Sequence, residues 1–297
     1  MILPSFVLPA YCNLIATQSG MDSPEHCVDI DHYRSYPWPV VYKYNSRGYR
    51  DAEWPEDLGQ AIWCFGDSFT VGLGSTHAHT WTQQLQKQSG IRTINIGMNG
   101  ASNNWIARKI QELSAANVRP GAIAVHWSYL HRRELPVWAV EPLVNRLWEK
   151  FYNSIRDESW SECKHFRDFE LLPDAVKQEI KTQHLDLVRE YWFRYDCEKI
   201  RDEERRLEFD VDATPKQDVE NLIDAIHSVE QLGLPVIHSF IPNYAPNHAT
   251  QTQIEQYCSQ QGYCVVTDLR MLDRARDGHH YDILTAQCLA HELMQQL

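Results

Sequence analysis

Three side chains that lie far apart in this sequence have the types needed for nucleophilic catalysis. Ser68 follows a Gly-Asp pair, and Asp277 and His280 lie three residues apart near the C-terminus. A serine hydroxyl is a weak nucleophile until an imidazole takes its proton, and the imidazole works best when a carboxylate fixes its tautomer. Because the loop of Asp277 and His280 contains Gly278, both side chains can face one point.

The residues before Ser68 predict that it follows a buried strand. Residues 61–65 (AIWCF) are apolar and end at Gly66, and a polar, glycine-rich segment follows. A short apolar run bounded by glycine favours a strand over a helix. A serine at the end of such a strand lies at the carboxyl edge of a sheet, where open α/β folds bind ligands. Taken alone, however, Gly-Asp-Ser is also ordinary turn chemistry, so its interpretation depends on the rest of the chain.

Strands and helical patterns alternate before residue 130 and after residue 215. Beyond the strand at 61–65, the sequence predicts strands at 92–97, 122–127, 234–241 and 263–268 and helices at 80–88, 103–116, 216–232, 250–261 and 283–294. Alternation of this kind predicts a parallel sheet. The carboxyl ends of parallel strands open on one edge, so Ser68, Asp277 and His280 can meet there.

Two segments fall outside this alternation. Residues 1–60 are rich in Pro, Tyr and Asp and lack periodicity, which predicts an irregular arm that wraps the main domain. Residues 130–215 contain no convincing strand, and helical patterns at 140–154 and 174–206 predict a helical insertion that could cover the site as a lid. We therefore predict one domain over residues 1–297, with an N-terminal arm and a helical insertion.

Composition limits the partners and the compartment. The formal net charge of −12 argues against nucleic acid or an anionic membrane as a partner. Eight cysteines without zinc-type spacing suit a reducing compartment, and neither a signal peptide nor a membrane span is predicted, so we expect a cytoplasmic protein. His77 and His79 lack a third ligand nearby, and the glycine-rich segment lacks a P-loop lysine. We therefore expect neither a metal nor a cofactor.

Three motifs in this order resemble the SGNH hydrolase family, also called GDSL lipases and esterases: Gly-Asp-Ser, a glycine after the second strand, and Asp-x-x-His. The resemblance covers residues 61–127 and 216–297. It implies a flavodoxin-like three-layer α/β/α sandwich around a central five-stranded parallel sheet. It also implies Ser68 as nucleophile, His280 as base and Asp277 as the carboxylate that orients the base. His279 is the alternative base, although the Asp-x-x-His spacing favours His280.

The resemblance also implies an oxyanion hole that includes the backbone N–H groups of Ser68 and Gly100, with Gly97 as the alternative to Gly100. The third motif of the family, Gly-x-Asn-Asp, is missing, because residues 126–130 read HWSYL. Loss of one such donor can cost roughly 10²–10³ in rate. Either another group replaces the donor, or the hole has two donors, or catalysis is impaired. The candidate replacements are Ser128, which we favour, and Asn103, Asn104 and Arg132.

The leading hypothesis is a serine esterase that hydrolyses an ester through an acyl-Ser68 intermediate. The family resemblance favours a small acyl group, such as acetyl on a carbohydrate. A second hypothesis is acyl transfer to an alcohol or sugar acceptor, because a lid that excludes water favours transfer. A third is a non-catalytic carbohydrate-binding or structural module on the same scaffold, because the third-motif Asn is missing.

Overall fold

A five-stranded parallel sheet forms the centre of this computed structural model, which describes residues 6–8, 11–130, 214–242 and 248–297. The chain divides into two compact units, Met1–Leu130 with Lys216–Leu297, and His131–Pro215. The predicted strands all fall in the first unit. The helical insertion predicted at 130–215, with its patterns at 140–154 and 174–206, lies outside the described residues, apart from its first and last positions.

The strand order agrees with the predicted fold class. The strands are β1 (Ile15–Ala16), β2 (Tyr42–Lys43), β3 (Ile62–Gly66), β4 (Thr93–Gly97), β5 (Ala122–Trp127), β6 (Val236–Phe240) and β7 (Cys264–Val265). The last five form one parallel sheet in the order β4-β3-β5-β6-β7. Numbered among themselves, these strands have the flavodoxin-like order 2-1-3-4-5, whose ligand crevice lies between the first and third strands. The corresponding strands here are β3 and β5.

Helices cover both faces of this sheet. The helices of the described residues are α1 (Ile30–Ser35), which lies in the N-terminal arm, α2 (Ser68–Val71), α3 (Trp81–Ser89), α4 (Asn103–Ala115), α5 (Thr214–Glu230), α6 (His248–Gln260) and α7 (Ile283–Gln296). Residues of α3 and α7 pack with Ile62 and Cys64 of β3, whereas α4, α5 and α6 pack with Trp63 and Phe65. Successive side chains of a strand point to opposite faces, so the fold has three layers, as predicted. No helix in the described ranges has the length and apolar character to cross a bilayer.

The predicted strand at 263–268 is too long, because the structure has only Cys264–Val265 as β7. This strand lies at the edge of the sheet and pairs only with β6. Asp268 has φ 55°, which is left-handed backbone that a strand does not contain. An apolar run therefore predicts the position of an edge strand better than its length.

The N-terminal arm contains three short elements within otherwise irregular chain. In its described part, β1 and β2 form an antiparallel pair and α1 spans six residues. Tyr42 and Tyr44 pack against Val71, the last residue of α2, and against Leu73, two residues further along the chain. Arg50 is 1% exposed and donates hydrogen bonds to carbonyl oxygens on both sides of this contact, those of Val41, Val71, Gly72 and Ser75. The arm is therefore packed against the segment that follows Ser68.

His126 of β5 is a fully buried imidazole beneath the edge of the sheet where the strands end. Its Nδ1 lies 2.9 Å from Ser239 Oγ, and its Nε2 lies 3.2 Å from Tyr281 OH. Burial lowers the pKa of His126 to about 4, and the charge of Asp67 opposes this only partly. The folded protein therefore keeps this side chain neutral at pH values where an unfolded chain protonates it.

We expect the free energy of unfolding to fall between pH 7 and pH 5, because His126 gains a proton in the unfolded chain but not in the folded one. The lowered pKa predicts that this residue contributes about 2 kcal/mol to the fall. Urea denaturation across this range measures it, by comparison of the wild-type protein with His126→Gln. The variant keeps polar groups for Ser239 and Tyr281, and it should lose about 2 kcal/mol less than the wild type.

Two other groups with shifted pKa values are common to both proteins and cancel in this comparison. Burial raises the pKa of Asp51 to about 6, which stabilises the fold as the pH falls, and burial lowers the pKa of His77 to about 4. His291→Gln, at an exposed position of α7, is the matched control and should keep the wild-type pH dependence. Equal pH dependence in wild type and His126→Gln would contradict the prediction.

Candidate active site

Ser68 is the first residue of α2, and one residue separates it from the carboxyl end of β3. The residue between them, Asp67, caps α2 by accepting the N–H of Phe69 at 3.0 Å. A Cβ atom on Gly66 would overlap Thr70 Oγ1 and lie 2.8 Å from the carbonyl oxygen of His126. Glycine at 66 thus lets α2 fold back closely over the strand, so that the serine stands at the rim of the sheet.

Ser68, His280 and Asp277 form a continuous hydrogen-bonded chain. Ser68 Oγ lies 2.8 Å from His280 Nε2, and His280 Nδ1 lies 2.5 Å from Asp277 Oδ2. Their side chains are well shielded, since Ser68 is 5% exposed, His280 2% and Asp277 0%. When Nδ1–H donates to the carboxylate, Nε2 is left to accept the serine proton. The structure thus brings together the three residues that the sequence predicted as a nucleophile and its partners.

The carboxylate of Asp277 has partners on both oxygens. Its Oδ1 accepts the backbone N–H groups of His279 and His280, each at 3.0 Å, while Oδ2 faces the imidazole. Burial alone would raise the pKa of Asp277, but the charge and hydrogen bond of His280 and the two backbone N–H groups lower it below its ordinary value. The carboxylate is therefore ionised at neutral pH, when it can orient an imidazole and stabilise an imidazolium.

His279 has a different hydroxyl partner. Its Nε2 lies 2.9 Å from the hydroxyl of Tyr129, a residue that follows the end of β5. The Phe69 ring contacts both histidines, with its centroid 4.5 Å from that of His280 and 5.9 Å from that of His279. Of the two histidines that the sequence left open as a base, the one in contact with Ser68 is His280.

Ser128, our first candidate to replace the missing Asn, has its hydroxyl turned to Asp67. The hydroxyl donates to Asp67 Oδ2 at 2.7 Å, and Ser128 is 3% exposed. The Asn103 side chain accepts the N–H of Ser128 at 2.8 Å and donates to the carbonyl of Tyr129 at 3.1 Å. These two candidate donors therefore hold the end of β5 against α2 and α4. Of the other candidates, Asn104 lies in the first turn of α4, and Arg132 lies outside the described residues.

The backbone groups predicted for the oxyanion hole differ in their partners. Ser68 begins α2, so its own N–H has no partner within that helix. Gly100 lies in the turn between β4 and α4 with φ 73°. The N–H of Gly97, the alternative, donates to Asn95 Oδ1 at 2.8 Å. Gly100 therefore stays the better candidate for the second backbone donor.

The sequence predicted that His77 and His79 are loop residues and not metal ligands. They are the first and last residues of a short 3-10 helix, and His79 Nδ1 lies 3.0 Å from Asp282 Oδ1. Over the described ranges, no group of three His, Cys, Asp or Glu side chains is placed to hold a metal ion.

Several polar residues around the site could not be identified from the sequence. Asp67 bridges α2 and the end of β5, and Asp22 of the arm binds Arg276, the residue before Asp277. In the sequence, Asp67 is noticeable only as part of the Gly-Asp-Ser motif, and Arg276 only as the residue before Asp277. Asp22 lies in a segment without any pattern, so no local signal could have found it.

Comparison with known proteins gives structural similarity at low sequence identity. No family model and no curated protein matches the chain. The chain is similar to the structure of a protein assigned to the G-D-S-L family of lipolytic proteins from Desulfitobacterium hafniense, with 12% identity, a TM-score of 0.44 and coverage of 80% of this chain and 100% of that one.

Two further solved structures show comparable similarity. A member of the lipolytic G-D-S-L family from Veillonella parvula has 12% identity and a TM-score of 0.42, with 79% of this chain and 96% of that one covered. An alpha/beta hydrolase enzyme from the metagenome of Lake Arreo, Spain, has 13% identity and a TM-score of 0.34, with 80% and 95% covered. Two of these three solved structures are of proteins described as lipolytic proteins of the G-D-S-L family.

Proposed function

We propose that this protein is a serine hydrolase that cleaves an ester through an acyl-Ser68 intermediate. The observation that carries the proposal is the buried chain of contacts from Ser68 Oγ to His280 Nε2 (2.8 Å) and from His280 Nδ1 to Asp277 Oδ2 (2.5 Å). It provides a nucleophile, a base within hydrogen-bond reach and a carboxylate that orients the base. A small acyl group, such as acetyl on a carbohydrate, is the substrate class that we propose from the family resemblance alone.

Each proton in the proposed reaction passes through His280. Its Nε2 takes the proton of Ser68 as Oγ attacks the ester carbonyl carbon, and Asp277 stabilises the resulting imidazolium. Collapse of the tetrahedral intermediate breaks the bond to the alcohol, which receives the proton from His280. Water then attacks the acyl-serine with His280 again as base, and its proton returns to Ser68 Oγ as the carboxylic acid leaves.

We propose an oxyanion hole with two backbone donors, the N–H groups of Ser68 and Gly100. The hydroxyl of Ser128 has one proton, and that proton is donated to Asp67 at 2.7 Å. Asn103 likewise holds the backbone of residues 128 and 129. Of the three outcomes considered for the missing third-motif Asn, this geometry favours a hole of two donors over replacement by either side chain.

The other two hypotheses receive less support. Acyl transfer to an alcohol depends on a lid that excludes water, and the predicted lid lies in the insertion, outside the described residues. Product analysis with a sugar acceptor present distinguishes transfer from hydrolysis. A non-catalytic module gives no reason for a shielded Ser68–His280–Asp277 chain with both imidazole nitrogens bonded.

Replacement of the nucleophile should abolish the chemistry and leave the fold intact. We expect Ser68→Ala to lower kcat/KM for p-nitrophenyl acetate at least about 10³-fold and to abolish labelling by a fluorophosphonate probe. The thermal unfolding midpoint should change little, because one small side chain is lost. Ser35→Ala, at an exposed serine of α1, is the control and should be fully active. Wild-type activity in Ser68→Ala would exclude Ser68 from the mechanism.

The neighbouring histidines should differ sharply in their effect on catalysis. We expect His280→Gln to lower kcat roughly 10³–10⁴-fold, since the base and its hydrogen bond to the carboxylate are lost. His279→Gln, which changes the adjacent residue and the contact with Tyr129, should lower kcat less than about tenfold. Steady-state kinetics on folded variants measure both. A larger loss for His279→Gln than for His280→Gln would assign the base to His279.

Ser128→Ala tests the two-donor oxyanion hole. If the hydroxyl serves only Asp67, we expect kcat to fall less than about tenfold, whereas loss of an oxyanion donor costs roughly 10²–10³. The variant should also be less stable by about 1–3 kcal/mol, because a buried carboxylate oxygen loses its donor. Kinetics and urea denaturation measure the two effects separately. A loss of about 10²-fold or more in kcat with unchanged KM would return Ser128 to the oxyanion hole.

A further inference from the structure

Asp22, in the N-terminal arm, is a fully buried carboxylate that binds the residue directly before Asp277. Arg276 Nε donates to Asp22 Oδ1 at 2.8 Å, and Arg276 Nη2 donates to Asp22 Oδ2 at 2.6 Å. The two residues lie 254 positions apart in the sequence. A two-point contact between guanidinium and carboxylate fixes orientation as well as distance. The ion pair therefore restrains the backbone at the start of the loop that carries Asp277 and His280.

This ion pair is one link in a closed ring of hydrogen bonds. Asp22 Oδ2 also accepts the hydroxyl of Tyr42 at 2.6 Å, and the Tyr42 oxygen accepts the N–H of Gly74 at 2.8 Å. The carbonyl of Gly74 accepts the backbone N–H of Arg276 at 3.0 Å, which closes the ring. The ring joins three segments: the arm, the chain that follows α2, and the loop that carries Asp277 and His280.

The last two of these segments are in direct van der Waals contact at Gly74. Gly74 has φ 72°, and a Cβ atom there would lie 2.9 Å from Ala275 Cβ and 3.1 Å from Asp277 Cγ. Two more arm residues contact backbone carbonyls of the same loop: Val28 N–H donates to the carbonyl of Asp277 at 2.9 Å, and His32 Nε2 lies 2.8 Å from the carbonyl of Ala275. A shift of Arg276 would therefore move the carboxylate of Asp277.

We propose that Asp22 is a positioning residue, which holds the loop of residues 275–280 through Arg276 so that Asp277 and His280 stay aligned with Ser68. The proposal rests on the proposed function, because alignment matters only if the three residues react together. Misplacement of a reacting group by about 1 Å can cost 10²-fold in rate even when the change is remote from the chemistry. The arm thereby contributes to the rate without touching the substrate.

Asp22→Asn is the main test, since it keeps the shape of the side chain and removes its charge. We expect kcat for p-nitrophenyl acetate to fall roughly 10- to 100-fold while KM changes less than about twofold. Asp268→Asn is the matched control, because Asp268 binds Arg270 at 2.9 Å in an exposed ion pair of the same type. It should keep wild-type kinetics. Wild-type kcat in folded Asp22→Asn would overturn the proposal.

A double-variant cycle tests whether Asp22 acts through Arg276. If it does, Asp22→Asn combined with Arg276→Gln should lose no more activity than the more severe single variant. Fully additive losses would show two independent effects and contradict the proposed route. If Asp22→Asn does not fold, Tyr42→Phe opens the same ring at two hydrogen bonds, those of the Tyr42 hydroxyl with Asp22 and Gly74, and keeps the aromatic packing. It should lower kcat a few-fold, about tenfold at most, at constant KM, and unchanged kcat would contradict the proposal.

A spectroscopic measurement separates failure of this proposal from failure of the proposed function. The Nδ1 proton of His280, donated to Asp277, should give a downfield resonance in proton NMR, and Asp277→Asn should remove it. We expect this resonance to shift or broaden in Asp22→Asn and to stay in place in Asp268→Asn. If Ser68→Ala retained activity, the proposed function would fail, and this resonance would still test the positioning. An unchanged resonance in Asp22→Asn would overturn the positioning alone.

Discussion

The buried hydrogen bond between Asp277 and His280 is the contact on which the rest of the site depends. A carboxylate with no solvent exposure loses several kcal/mol of hydration, and only well-placed donors offset that cost. Asp277 has three such donors, the imidazole and two backbone N–H groups, and all belong to residues 279 and 280 of its own loop. The loop conformation and the ionised carboxylate therefore stabilise each other, because a loop that opened would leave the charge without partners.

The sheet and the arm approach this loop from different directions. The sheet fixes Ser68, since Asp67 caps α2 and Gly66 allows the helix to pack onto the strand end. The arm fixes the loop, through the ion pair of Asp22 and Arg276. Two segments with little regular structure, a loop and an arm, thus acquire a defined geometry from a few buried polar contacts. An α/β sandwich alone would not supply this geometry, because a fold does not by itself determine a function.

The parts of the fold that could be predicted are those whose signal is local. The strand predicted at 122–127 is Ala122–Trp127, and the helix predicted at 103–116 is Asn103–Ala115, because buried parallel strands and amphipathic helices leave apolar patterns. The Asp-x-x-His spacing likewise placed His280, and not His279, beside Ser68. The partners of Asp22 and of the Ser128 hydroxyl depend on which distant segments meet in space. The residues next to them in the sequence give no pattern from which those contacts could be predicted.

Residues 126–130 lack a Gly-x-Asn-Asp motif, and Ser128 in this segment binds Asp67. Asp67 is fully buried, and its two oxygens accept the N–H of Phe69 and the hydroxyl of Ser128. A small hydroxyl side chain at 128 satisfies the second oxygen, and the amide of Asn103 holds the backbone of the same residue from α4. The end of β5 is thus organised around a carboxylate next to Ser68 rather than around a side-chain amide aimed at the substrate. Since the hydroxyl of Ser128 and the amide of Asn103 both serve these contacts, the two-donor oxyanion hole that we propose depends on backbone N–H groups.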